Sequence, residues 1–343
     1  MVKVGIIQMQ ATPLKVEENL SLAESLIVQA AQDGAQLAVL PEMFNVGYYL
    51  GEDLMTVAET LEKGKTLTWL RAQATRHGIC VITSLYERYD GHFYNTMVVV
   101  GRDGSLQYYR KRNPALSEAA VWRRGPVPGP GIFDTPFGRI GGAICFDSFT
   151  RETFEGFKQS AVEWVVVVAC WGMPRPVRGR PDLLLSRPIL KLSQNLASDV
   201  MPYQYAAQLG VPVVFVNQGG KTKTPAPVPP AYPWPVPPLE YDFLGNSQIR
   251  DASGKVLVRA SSAETAFCAV VPVEVQSTDK RPEITRVDIP PRYLRDDYFF
   301  VQPPRQSRFI YFLGNLMQEW GVRGLQKEYE ARRVRHVERV VSP

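Results

Sequence analysis

Short apolar runs and one clear helical stripe dominate the first 274 residues, and their periods predict a mixed α/β chain. The opening run Val2 to Met9 reads as a buried strand. Between about residues 16 and 33, Leu20, Ala23, Ile27 and Ala30 fall on one helical face, and Gly34 closes the helix. Further strands are predicted over 36–40, 79–85, 93–100, 140–145, 165–170 and 211–217. Most are continuous Val- and Ile-rich runs, which suit a sheet covered on both faces. Helices are predicted over about 55–77, 150–160 and 186–209, and Arg102-Asp103-Gly104 and Ala252-Ser253-Gly254 mark hairpin turns.

Two stretches break the pattern. Residues 221–240 crowd eight prolines between Pro225 and Pro238, which predicts an extended loop rather than helix or central strand. Beyond residue 274 the core pattern stops. Phe309, Phe312, Leu316 and Trp320 then stand near helical spacing in a predicted helix over about 305–340, which ends in Arg332, Arg333, Arg335 and Arg339. The expected organisation is a core domain over 1–274, with 221–240 as a proline-rich insertion, and an extension over 275–343 suited to an oligomer contact.

Composition narrows the class. With 45% apolar and 21% charged residues in 343, the chain is an ordinary globular one, and its net charge of +5 does not call for nucleic acid. Four cysteines form no CxxC pair and there are only three histidines, so neither a disulfide framework, a metal site nor a cofactor is indicated. The first residues alternate like a strand rather than a leader, and no apolar run reaches the ~18 residues of a membrane span. A cytoplasmic protein with no membrane partner is expected.

Reactive groups in α/β sheets gather past the carboxyl ends of strands, where loops converge on a crevice. Three predicted strand ends here carry such groups: Leu40 leads to Glu42, the run 106–110 leads to Lys111, and 140–144 leads directly to Cys145. A thiol with a pKa of about 8.5 needs a base or a neighbouring cation to react at neutral pH. Glu42 supplies the base, while Lys111 would favour the thiolate and hold a developing oxyanion together with a backbone N–H such as that of Phe146. Taken singly, each has a bland alternative: Cys145 as a small buried hydrophobe, Glu42 and Lys111 as surface charges. Cys80, Cys170 and Cys268 fit that inert role. His77, His92 and His336 follow no core strand, so a Cys/His pair is not supported.

Three ordered motifs then make the sequence resemble the nitrilase superfamily of carbon–nitrogen hydrolases. They are Leu40-Pro41-Glu42-Met43-Phe44 with Gly47-Tyr48; Tyr109-Arg110-Lys111 with Pro114, Glu118, Trp122 and Gly125; and Gly141-Gly142-Ala143-Ile144-Cys145-Phe146-Asp147, followed by Trp171, Asn217 and Gly245-Asn246-Ser247. The resemblance implies a four-layer αββα sandwich, a Glu42/Lys111/Cys145 triad, Glu118 as a second glutamate, and a dimer that extends the sandwich. Lys111-Arg112-Asn113 departs from the Lys-x-His of many amidases, with a nitrilase-like spacing to Glu118. Cys-Phe-Asp, however, is similar to the amidase and carbamoylase branches.

The function implied is hydrolysis of a small-molecule amide or N-carbamoyl bond through a cysteine thioester. A nitrile substrate, acyl transfer to an amine, and a non-catalytic scaffold using the proline loop or basic tail are the alternatives. Tyr48, Trp122, Phe146 and Trp171 are the candidate substrate-binding residues; with Trp234 in the proline loop, these aromatics suggest an aromatic acyl group. For the proline loop, with Tyr232 and Trp234, a lid over the site mouth or an oligomer contact is expected ahead of partner recruitment.

Overall fold

The computed structural model describes residues 1–115, 118, 121–175, 196–226 and 237–275. Two six-stranded sheets carry the fold. In order, the first holds β15 (Ala266–Val273), β1 (Val2–Met9), β2 (Leu37–Val39), β3 (Cys80–Tyr89), β4 (His92–Val100) and β5 (Leu106–Arg110). The second holds β14 (Val256–Arg259), β13 (Gln248–Arg250), β10 (Val213–Asn217), β8 (Trp164–Ala169), β7 (Gly138–Ile144) and β6 (Gly131–Thr135).

Strand periodicity decides what lies between the layers. Val2, Val4, Ile6, Leu37, Val39, Ile82, Met97 and Val99 meet Ile140, Ile144 and the β8 valines in the core between the sheets. Residues of opposite parity, including Ile7, Ala38, Val81, Val98 and Val100, pack under α1 (Val16–Gln32) and α2 (Lys65–His77). Each such valine or isoleucine contributes about 1.5–3 kcal/mol by leaving water. On the far side of the second sheet, Phe154 and Phe157 of α3 (Arg151–Gln159) meet the Tyr205 ring of α4 (Met201–Leu209) at 5.5 and 5.9 Å. The layers are therefore α/β/β/α.

Two glycines let these layers close on β7, the strand that leads to Cys145. A Cβ on Gly141 would lie 2.7 Å from the Phe157 ring of α3, and one on Gly142 would lie 2.5 Å from Phe133 and 2.6 Å from Met97 Sδ of the opposite sheet. Side chains at either position would hold the layers apart.

Several expectations are corrected. The helix predicted over 55–77 is two pieces, a 3₁₀ segment Glu52–Val57 and then α2. Between them the Glu59 backbone pairs with Tyr86 and Arg88, and its carboxylate accepts from Thr66 N–H and Oγ1 at 2.6 Å, which starts α2 late. The prolines do not keep the whole of 221–240 out of strand. β11 (Lys221–Thr224) and β12 (Leu239–Phe243) flank them and form, with β9 (Gly172–Pro174), a small third sheet. Their backbone N–H groups remain free to pair because the prolines lie between them. The helix predicted over 186–209 is described from a π-helical turn Leu196–Val200 into α4. β6 was not predicted, since Pro- and Gly-rich sequence precedes it.

Tyr232, Trp234 and the whole of 276–343, including the predicted C-terminal helix and His336, lie outside the described residues. Among the described residues, no helix is long and apolar enough to cross a membrane.

Candidate active site

The three motifs converge where both large sheets end. Glu42 follows β2, Lys111 follows β5, and Cys145 follows β7, and all three are buried. Lys111 Nζ lies 2.8 Å from Glu42 Oε1 and 2.7 Å from Glu118 Oε2. Carboxylate oxygens of Glu42 and Glu118 and the Cys145 sulfur lie within 4.8 Å of one another. Such spacing also suits a metal donor set, but the cation held between these carboxylates is the Lys111 ammonium.

Local backbone geometry presents the groups. Cys145 has φ of 47° and Met43, the residue after Glu42, has φ of 54°. Left-handed conformations cost a non-glycine residue on the order of 1–3 kcal/mol and persist where the surroundings enforce them. Around Glu42 those surroundings are explicit. Its carbonyl accepts from Cys170 Sγ at 2.9 Å and Gln218 Nε2 at 3.0 Å, and Met43 N–H donates to Ser84 Oγ at 3.2 Å. Its carboxylate accepts from Cys170 N–H at 2.6 Å on Oε2 and from Asn95 Nδ2 at 2.6 Å on Oε1.

The turn after Cys145 is anchored by Asp147. Its carboxylate accepts from Asn113 N–H and Nδ2 at 2.7 and 3.0 Å and from Tyr109 Oη at 3.1 Å. It thereby joins the lysine loop to the nucleophile turn across the sandwich. Burial pushes the Asp147 carboxyl up, against the pull of Lys111 and the Asn113 donors. Asp147→Ala would leave those donors without an acceptor, and a loss of about 2–4 kcal/mol is expected in a denaturant titration.

Lys111 favours the thiolate as expected, but other influences outweigh it. Burial pushes Cys145 well above the usual thiol range, and the Glu42 charge adds to that. Lys111 opposes the shift without overcoming it, because its ammonium already serves two carboxylates. The resting thiol is therefore neutral and needs a base. Burial alone would lower the Lys111 pKa, but Glu118 and Glu42 hold it well above the ordinary lysine value. Burial likewise pushes Glu118 up to about 7, partly offset by Lys111.

The four candidate substrate residues fall into two groups. Phe146 and Trp171 are half-buried and flank Phe149, with ring centroids 6.3 and 4.8 Å away. Trp171 is pinned by Asn217, which accepts its N–H at 2.7 Å and donates to its carbonyl at 3.0 Å. Trp122 is fully buried, and Tyr48 nearly so, at 6.4 Å from it edge-on in a cluster that includes Met43 and Cys170. His77 ends α2, and His92 starts β4 with its ring 2.9 Å from Arg123 Nη1.

Sequence reasoning missed Asn95, Cys170 and Gln218. An amide inside the run His92–Val100 was the available signal for Asn95. Cys170, expected to be inert, is instead in contact with both ends of Glu42.

Several known proteins are similar to this chain. A nitrilase from Pyrococcus abyssi is 34% identical over 197 residues, 57% of this chain and 75% of that protein. An N-carbamoylputrescine amidase from Arabidopsis thaliana is 22% identical over 291 residues, 79% of this chain and 90% of that protein. Among solved structures, a carbon–nitrogen hydrolase from Helicobacter pylori G27 superposes with a TM-score of 0.65 at 20% identity, covering 81% of this chain and 91% of that one. An amidase from Nesterenkonia sp. AN1 does so with 0.63 at 18% identity, covering 82% and 96%. Those structures share the fold, and the carbon–nitrogen hydrolase family model matches residues 3–280. The chain thus belongs to the carbon–nitrogen hydrolase family, within the nitrilase superfamily.

Proposed function

We propose that this carbon–nitrogen hydrolase cleaves a small-molecule amide or N-carbamoyl bond through a thioester on Cys145. The observation that carries the reading is the Cys145 sulfur beside two buried carboxylates bridged by Lys111 Nζ, all within 4.8 Å for the sulfur and carboxylates. Glu42 takes the thiol proton as the sulfur attacks the carbonyl carbon. Lys111 Nζ and the Phe146 N–H, early in the 3₁₀ turn Cys145–Phe149, hold the oxyanion. The tetrahedral species collapses as Glu42 returns the proton to the departing nitrogen. Water then enters, loses a proton to Glu42 and releases the acid, so one carboxyl serves as base and acid in turn. Glu118 keeps Lys111 in place.

Two carboxyl groups stand next to the sulfur to supply the proton with which an amine departs, and the Cys145-Phe146-Asp147 block, similar to the amidase and carbamoylase branches, favours amides. The nitrilase among the relatives favours a second reading, in which the same trio forms a thioimidate from a nitrile. Primary amides, ureido acids and nitriles assayed side by side separate them. Turnover confined to nitriles would contradict the amide reading. Tyr48, Trp122, Phe146 and Trp171 are proposed to shape the acyl pocket, with aromatic acyl groups preferred over short aliphatic ones.

Glu118 gives a pH test. Its carboxyl is pushed up to about 7, so it loses its charge, and with it part of its hold on Lys111, as pH falls through that value. Activity is expected to rise as pH rises through the same range. Glu118→Gln should lower kcat/KM by about a hundredfold and remove or displace this limb of the pH profile. The proposal includes a division at residue 274 and a dimer, which light scattering on the full chain tests.

A further inference from the structure

Behind the triad, one residue of β4 touches two of its members at once. Asn95 is fully buried, its carbonyl accepts the Lys111 backbone N–H at 2.8 Å, and its Nδ2 donates to Glu42 Oε1 at 2.6 Å. That oxygen is the one Lys111 Nζ reaches at 2.8 Å. The main chain of Asn95 thus sets where Lys111 leaves β5, while its side chain sets where the carboxylate points.

Asparagine is a poor choice for this position on packing grounds. The same face of β4 continues with Met97 and Val99 in the apolar core between the sheets, and asparagine is depleted in strands. Its Oδ1 is buried with no hydrogen-bond partner among the described residues. An unpaired buried acceptor is unfavourable, and an apolar side chain would avoid it. Turning the amide over would aim that oxygen at the Glu42 carboxylate and lose the 2.6 Å bond. The arrangement makes sense as local stability given up to fix a charged group at a working site.

The geometry points to Asn95 as a positioning residue that holds the Glu42 carboxylate in the orientation from which it takes the Cys145 proton. This rests on the role proposed above for Glu42. It acts through Glu42 and Lys111 and does not itself contact the substrate in this account.

The test compares the parent with Asn95→Leu, which is close in shape and cannot donate, and Asn95→Asp, which donates only while its carboxyl holds a proton. The readout is the rate at which iodoacetamide alkylates Cys145, followed by peptide mass at about pH 5.5 and about pH 7.5. At the higher pH both variants should react about tenfold or more slowly than the parent, since a hydrogen bond to a charged group is lost. At the lower pH Asn95→Asp should regain rate relative to Asn95→Leu. If Asn95→Leu does not fold, Asn95→Val, with the better strand propensity, replaces it. Rates within about twofold of the parent, or two variants whose ratio is the same at both pH values, overturn the inference. Parent turnover of primary amides, ureido acids and nitriles is measured alongside. No turnover at all counts against the proposed function, whereas normal turnover with unaffected variants counts against Asn95 alone.

Discussion

Cys145→Ala is expected to reduce turnover by at least about four orders of magnitude while leaving the fold in place. The sulfur is the only atom of the residue assigned to bond making, and alanine keeps the Cβ, so the φ of 47° at the end of β7 is no more strained than before. Ser148, whose hydroxyl donates to the Cys145 carbonyl at 2.7 Å, and Asp147 continue to hold the turn. A melting temperature within a few degrees of the parent, about the scale of 1 kcal/mol in a chain of this size, checks the fold. Residual activity above about one part in a hundred would place the nucleophile elsewhere.

Lys111→Met has the largest expected combined effect on activity and stability. Lys111 is 0% exposed, and its ammonium is the only cation shown in contact with Glu42 or Glu118 among the described residues. Methionine fills similar volume but leaves two buried carboxylates facing each other, and breaking a buried pair from one side costs about 3–5 kcal/mol. Relief comes only when one carboxyl takes up a proton. The stability deficit relative to the parent is therefore expected to grow as pH rises and shrink as pH falls. Denaturant titrations at acidic and alkaline pH measure it, and a deficit independent of pH would contradict the assigned charges. Activity should be lost at every pH, because the oxyanion loses its cation.

The outline of this site was available in the sequence for a physical reason. A strand buried on both faces must be an almost unbroken apolar run, so its end is sharp, and a charged or thiol residue just past it stands out. That is how Glu42 and Cys145 were found despite their separation in the chain, whereas Lys111 follows the half-polar, largely exposed run Leu106–Arg110 and was singled out by its place among the ordered motifs. The supporting residues gave no such signal. Cys170 and Gln218 act on Glu42 through its carbonyl, and a backbone acceptor has no letter in the sequence. Asn95 was visible as an amide in an apolar strand, but its partner depends on which strands neighbour one another.

Charge balance was equally hidden. Lys111 pulls the Cys145 thiol toward the thiolate, as its position suggested, yet burial and two carboxylates outweigh that pull. Turn chemistry explains the errors in the elements. Glu59 interrupts the predicted 55–77 helix by pairing toward β3, a contact between segments that helical spacing alone does not register.

Intact-mass analysis of the acid-quenched protein is the most direct measurement. The parent and Cys145→Ala are each mixed with pooled amides, ureido acids and nitriles, quenched during turnover, and mapped by peptide. The expected result is a mass increment equal to the acyl half of one substrate, confined to the peptide carrying Cys145 and absent from the variant. Turnover by the parent with the increment on Cys80, Cys170 or Cys268, or with Cys145→Ala equally active and equally labelled, would contradict covalent catalysis at Cys145.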